Sequence, residues 1–202
     1  MKNLSLIKIP PLLLVIFASN IISPNPSNAS TTKAKFFCAK LNQEWHTFVD
    51  TPRGKAALIK WESGAFQESG WTDTKRCQEV SKRFRNFAAS GKLKEIVTGE
   101  VNNYPVLCPA QFRNGPCTKT GGKTDVLVTL KKDANPKLIL RQLLDINKGI
   151  RTGNPLSFKI PNIDSPRNDG ESSVNLDTLI RTLPVVDESQ IEYLNWCITT
   201  DC

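Results

Sequence analysis

Residues Gly70–Phe84 read GWTDTKRCQEVSKRF, and how this stretch folds decides what kind of protein surrounds it. Thr72 stands where a helix N-cap belongs, and Asp73 follows in the first turn, where a negative charge meets the positive helix end. Cys77, Val80, Phe84, Phe87 and Ala88 then recur at steps of three and four, which places them on one stripe of a helix running to about Ser90. Gly91 follows as the residue that ends it. Cys77 therefore lies on the buried stripe. Lys75, Arg76, Lys82, Arg83 and Arg85 are expected to face mostly water. Two chemistries compete for Cys77: a thiol activated by Lys75 and Arg76, or one half of a structural disulfide.

The ends of the chain bear on that choice. Lys2 and Lys8 precede an apolar run from Ile9 to Ala18, and small residues at Ser27 and Ala29 suit cleavage after Ala29. The run is too short, and too interrupted by Pro10 and Pro11, for a spanning helix of roughly 18 or more apolar residues. The expectation is a signal peptide over 1–29, a protein exported to a periplasmic or extracellular space, and no transmembrane span in the mature chain. Cleavage removes two of the 27 basic residues and none of the 19 acidic ones, so the net charge falls from +8 to +6. A scattered positive balance of this kind favours an anionic surface, lipid headgroup or polysaccharide, or an acidic protein face.

Cys38, Cys77, Cys108, Cys117, Cys197 and Cys202 all lie beyond the expected cleavage point. An even set in an oxidising compartment indicates disulfides, although six cysteines leave many connectivities open. Closing nearest partners gives Cys38–Cys77, Cys108–Cys117 and Cys197–Cys202, stabilising by about 3.9, 2.7 and 2 kcal/mol on the chain-entropy model. No Cys-x-x-Cys pair is present, which leaves a zinc or dithiol redox site without its ligands.

Short strands bounded by turn residues precede the helix: KFFCAKL (35–41), WHTFVDT (45–51) and, after a Pro-Arg-Gly turn, KAALIKW (55–61). KLKEIVTG (92–99) and EVNNYPVLC (100–108) read as two strands around an Asn-Asn turn, and DVLVTL (125–130) as another. NPKLILRQLLDINKG (135–149) is a second helix, capped by Asn135, opened by Pro136 and ended by Gly149. From residue 150 the chain turns rich in Pro, Asn, Ser and Gly, with short helical pieces expected near NLDTLIRTL and SQIEYLNWC. The expected architecture is α+β: a mainly antiparallel sheet of about six strands against two helices over 30–149, stapled by disulfides, with an irregular arm over 150–202. No internal repeat is evident.

Catalytic constellations are sparse. TGGKT (120–124) mimics the end of a P-loop, but Cys117 holds the place of its first glycine, and a strand rather than a helix follows. His46 is the single histidine, so a His-rich metal site or a Ser-His-Asp triad has little to draw on. Together with Glu44, two residues away on the same strand face, it is the best available candidate for an enzyme site assembled from scattered residues. Asp50 and Glu62 are carboxylates whose relative placement sequence leaves open. Trp45, Trp61, Trp71 and Trp196 can either fill a core or line a ligand face. The basic residues Lys82, Arg83 and Arg85 suit a solvated helix face, and export argues against nucleic acid as a partner. No cofactor or metal is indicated.

Several of these stretches recur in order in a known family: FFC, ALIKW, the GWT helix, GKL and GEVNNYPVLC, Cys117, and LVTL before a helix. The chain resembles the cyanobacterial circadian oscillating polypeptide family over roughly residues 35–147. The most specific part is Arg76, Cys77, Val80, Ser81, Arg83 and Phe84 on the first helix. The resemblance implies an exported or membrane-peripheral protein and supplies no catalytic residue. The functional expectation is an exported, non-enzymatic binding or envelope-associated protein; the alternatives are an exported enzyme using His46 and Glu44, or a thiol-redox protein using Cys77.

Overall fold

A computed structural model describes residues 34–62, 66–147, 156–157 and 172–193. Three antiparallel strands open the fold: β1 (Lys35–Leu41), β2 (Glu44–Thr51) and β3 (Gly54–Trp61). The β1–β2 turn is the two-residue type that needs positive φ at both positions, met by Asn42 at 52° and Gln43 at 67°. Helix α1 (Asp73–Ala89) follows, with the Thr72 hydroxyl accepting from the Lys75 amide at 3.3 Å. At its end Gly91 adopts φ 72°, and the Lys92 amide donates back to the Phe87 carbonyl at 3.0 Å.

Strands β4 (Glu95–Val101) and β5 (Tyr104–Ala110) pair around Asn102 and Asn103, again both at positive φ, as the Asn-Asn signal predicts. A ribbon of β6 (Lys119–Thr120) and β7 (Lys123–Thr124) leads to β8 (Val128–Thr129), the only part of DVLVTL that forms a strand. Helix α2 (Pro136–Asn147) is capped by Asn135 Oδ1, which accepts from the Lys137 amide at 3.0 Å. Described parts of the remaining chain are β9 (Leu156–Ser157), β10 (Ser173–Asn175), α3 (Leu176–Thr182) and β11 (Ile191–Tyr193).

The architecture is α+β with mainly antiparallel strands, and the described strands form two main sheets plus the β6–β7 ribbon rather than a single sheet of about six. The first has the order β11-β1-β2-β3-β9 and the second β10-β4-β5-β8. The break falls where α1 intervenes: β3 and β4 share no ladder, and their apolar faces meet through helices instead. The segment read as an arm supplies edge strands to both sheets, with β11 on β1 and β10 on β4. The helical piece expected near SQIEYLNWC is instead a 3-10 turn at Glu188–Gln190 followed by β11. The free edge of β1 offers ladder hydrogen bonds that a short isolated helix cannot match. Residues 194–202, with Trp196, Cys197 and Cys202, lie outside the described residues, as do the expected signal peptide at 1–29 and Gly149.

The main core joins Cys77, Val80 and Phe84 of α1 to Phe36 and Cys38 of β1 and to Ile139, Leu140, Leu143 and Leu144 of α2. Each such buried side chain stabilises by about 1.5–3 kcal/mol. The opposite face of the first sheet buries Phe37, Ala39, Phe48, Ala57 and Ile191. Arg53, from the Pro-Arg-Gly turn, donates to the Leu183 carbonyl at 2.7 Å and to that of Ile180 at 3.1 Å, closing the last turn of α3. Among the described residues, no helix is long and apolar enough to cross a membrane.

Candidate binding cleft beside the first helix

The two chemistries available to Cys77 resolve at once. Cys77 is fully buried and bonded to Cys38, with Cα atoms 5.5 Å apart, so the helix is stapled to β1. Cys108 and Cys117 form a second disulfide, also with Cα atoms 5.5 Å apart. The second bridge sits over β4 at Gly99, where any side chain would collide with it: an added Cβ would stand 2.6 Å from Cys117 Sγ. Cys77 therefore has no thiol for redox chemistry in this form, and among the described residues no cysteine is free.

Cys77, Ser81 and Phe84 face the core and first sheet, while Arg76 and Arg83, with the core residue Val80 between them, form an adjacent stripe that lines a cleft of about 280 Å³. Spacings of four and three along a helix place these three on one side. Trp61, the last residue of β3, also lines the cleft. Its indole N–H donates to Thr47 Oγ1 at 3.0 Å, and Ser81 Oγ donates to the same oxygen at 3.0 Å, which fixes the ring against the helix. Tyr104, at the start of β5, and Val128 and Thr129 of β8 also line the cleft.

A tight turn supplies the remaining aromatic wall. The Phe66 carbonyl accepts from the amides of Ser69 and Trp71, each at 3.1 Å, and Gly70 adopts φ 72°. Phe66 itself is held at φ 65°, a left-handed backbone that costs a non-glycine residue about 1–2 kcal/mol. The strain brings Phe66 and Trp71 to the same cleft, where both rings line the wall. Strain of this sort gathers at binding and catalytic sites.

Arg76 departs most from the sequence expectation. Only 7 % exposed, it places its guanidinium carbon 4.7 Å from the Trp61 ring centre and 5.6 Å from that of Phe66. Asp73 Oδ1 lies 3.8 Å from its Nη1. Burial draws the guanidinium below its ordinary value and the Asp73 charge acts the other way; an arginine stays charged throughout. It is buried because position 76 borders the apolar stripe, and a guanidinium can stack on aromatic rings where an ammonium would need water. Lys75 stays exposed, with its ammonium 4.8 Å from the Trp71 ring centre. Arg83 Nη1 donates to the Leu127 carbonyl at 3.5 Å, and Glu79 stands one turn away on the same wall.

The enzyme candidates do not assemble. His46 is 3 % exposed; its Nδ1 lies 2.9 Å from the backbone carbonyl of Glu44, and burial lowers its pKa from the usual 6.5. The Glu44 carboxylate turns to Lys60 at 2.8 Å, and Asp50 lies 4.0 Å from Lys55. Neither His46 nor Glu44 borders the cleft. TGGKT is a hairpin turn through Gly121 and Gly122, both at positive φ. Behind it, burial alone would raise the Asp125 carboxyl, but bonds from Thr120 at 2.5 Å, Thr118 at 2.8 Å and Lys92 at 3.1 Å outweigh burial and hold it below the usual carboxylate value. Of the tryptophans, Trp61 and Trp71 line the cleft and Trp45 packs partly against the core with Lys40 over its ring. Phe66 and Tyr104 carried no sequence signal for the site, since a single aromatic beside a turn has no periodicity to place it.

Comparison with curated proteins and with solved structures gives no match. The family model described as circadian oscillating protein COP23 matches residues 35–181. That reaches beyond the 35–147 over which the motifs recur, and takes in β10 and α3 as far as Arg181, which pack on β4 and α2. The match spans well over half of the chain, and the protein belongs to the circadian oscillating protein COP23 family.

Proposed function

We propose that this is an exported, non-enzymatic binding protein of the periplasm or extracellular space, and that the aromatic cleft beside α1 is its ligand site. The cleft carries the proposal: Phe66, Trp71 and Tyr104 meet two guanidiniums and a carboxylate in one recess, with Phe66 held in a strained backbone that positions it. Recessed aromatic surface with a few placed polar groups is the usual make-up of a small-ligand site. Export is supported by the leader-like N-terminus and by two disulfides, which persist in oxidising compartments. A net charge of +6 after cleavage supports an anionic partner, either a polysaccharide or a lipid headgroup at an envelope surface.

The test is intrinsic tryptophan fluorescence of the purified, disulfide-intact protein, titrated with saccharides and with anionic vesicles. A ligand that quenches or shifts the emission should lose affinity in Trp71→Ala while the melting temperature stays close to that of the parent. Binding indifferent to Trp71→Ala and Tyr104→Ala would remove the cleft as the site. Intact-mass measurement of protein recovered from the envelope fraction tests export; a chain that keeps residues 1–29 and stays in the cytoplasm contradicts it.

A further inference from the structure

The polar lining of the cleft is mixed rather than uniformly cationic. Glu79, Ser69, Thr129 and the Tyr104 hydroxyl offer acceptors and donors in the same recess as Arg83. Such a set suits a ligand rich in hydroxyls, each of which both donates and accepts. A doubly charged phosphate or sulfate would bring two negative charges to the Glu79 carboxylate where a uronate brings one, and Arg76 already faces Asp73 at 3.8 Å. Arg83 is different: no carboxylate pairs with it among the described residues, and its one bond is the 3.5 Å contact to the Leu127 carbonyl. It leaves a planar donor fork that matches a carboxylate in two-point geometry.

Aromatic walls complete the description. The face of an aromatic ring is the negative part of its quadrupole and attracts weakly positive C–H groups, such as those on the flat side of a sugar. At about 280 Å³ the cleft falls just below the roughly 300–1,000 Å³ of ordinary ligand pockets, which suits a short stretch of a sugar chain. A membrane surface fits less well, since of the exposed large apolar residues described, Tyr104, Phe112, Val185 and Tyr193, only Tyr104 borders the cleft.

We propose that the cleft takes a uronic-acid unit of an acidic polysaccharide, its carboxylate on Arg83 and its ring against Trp71 and Tyr104. This rests on the cleft being the binding site. Calorimetric titration of the disulfide-intact protein with oligogalacturonate, its methyl ester, a neutral oligosaccharide, sodium acetate and phosphatidylglycerol vesicles separates the outcomes. The acidic oligosaccharide should bind about tenfold or more tightly than its ester, the difference a charge-assisted pair provides. Arg83→Gln should erase that difference between acid and ester, and Arg83→Lys should restore only part of it. The ester comparison decides the matter even where an Arg83 variant folds poorly, because it changes the ligand alone. Equal binding of acid and ester, with Trp71→Ala weakening both, overturns the uronate assignment and leaves the cleft standing. Acetate matching the oligosaccharide, or uptake by vesicles alone, also overturns it. Saccharide binding untouched by Trp71→Ala overturns the cleft as well.

Discussion

The guanidinium of Arg76 lies over the indole of Trp61, 4.7 Å from its ring centre, and so couples the first turn of α1 to the last residue of β3. Helix and sheet are thereby joined twice within two consecutive residues, by the stacked cation at 76 and by the Cys77 disulfide to Cys38. One residue borders the cleft and the next faces the core, so the stability of the helix and the shape of the site are linked.

Arg76→Met keeps the length of the stem and removes the charge, leaving Asp73 without its cation. A desolvated cation–π contact is worth about 2 kcal/mol, and urea unfolding should show a loss of that size. Arg76→Lys should recover little, because an ammonium lacks the planar face that stacks on Trp61. Parental stability in the lysine variant would show that only charge matters at this position.

The paired change Cys38→Ala with Cys77→Ala removes a cross-link between residues 39 apart in sequence, and should cost about 3.9 kcal/mol on the loop-closure estimate. Alkylation of the native, unreduced protein followed by intact-mass measurement should label neither cysteine. Labelling at Cys77 would reopen the thiol alternative.

Gly99 is required by the second disulfide. Gly99→Ala puts a methyl 2.6 Å from Cys117 Sγ and 3.3 Å from Cys108 Sγ, and overpacking of this kind costs about 1–3 kcal/mol. The same change made on a Cys108→Ala, Cys117→Ala background should cost clearly less, since the colliding sulfurs are gone. Equal costs in the two backgrounds would mean the loss arises from the β4 backbone.

His46 should make stability depend on pH. Burial lowers its folded pKa below the unfolded 6.5, so the unfolded chain binds the proton first as pH falls. Its contribution is complete above pH 6.5 and is lost as pH falls from there through the folded pKa. Urea midpoints should drop between pH 7.5 and 5, and His46→Gln should flatten the profile over that interval. An unchanged profile in the variant would assign the pH dependence to other groups.

The sequence by itself determined what depends on local spacing. Helical phase put Cys77, Val80 and Phe84 on one buried stripe, the cap residues Thr72 and Asn135 marked both helix starts, and Asn102 and Asn103 marked a turn that tolerates positive φ. Pairing neighbouring cysteines was correct for Cys38–Cys77 and Cys108–Cys117 because each closes a loop within one local unit. Tertiary structure alone decided the division into two sheets and the pairing of β10 and β11, since a strand carries no mark of its distant partner. It also decided the cleft. Trp61, Phe66, Arg76, Arg83, Tyr104 and Thr129 come from five separate pieces of chain, and none announces the others in sequence. Arg76 shows the limit most directly: helical phase set it among the residues facing water, and only the rings of Trp61 and Phe66, brought there by the fold, allow its charge to be buried.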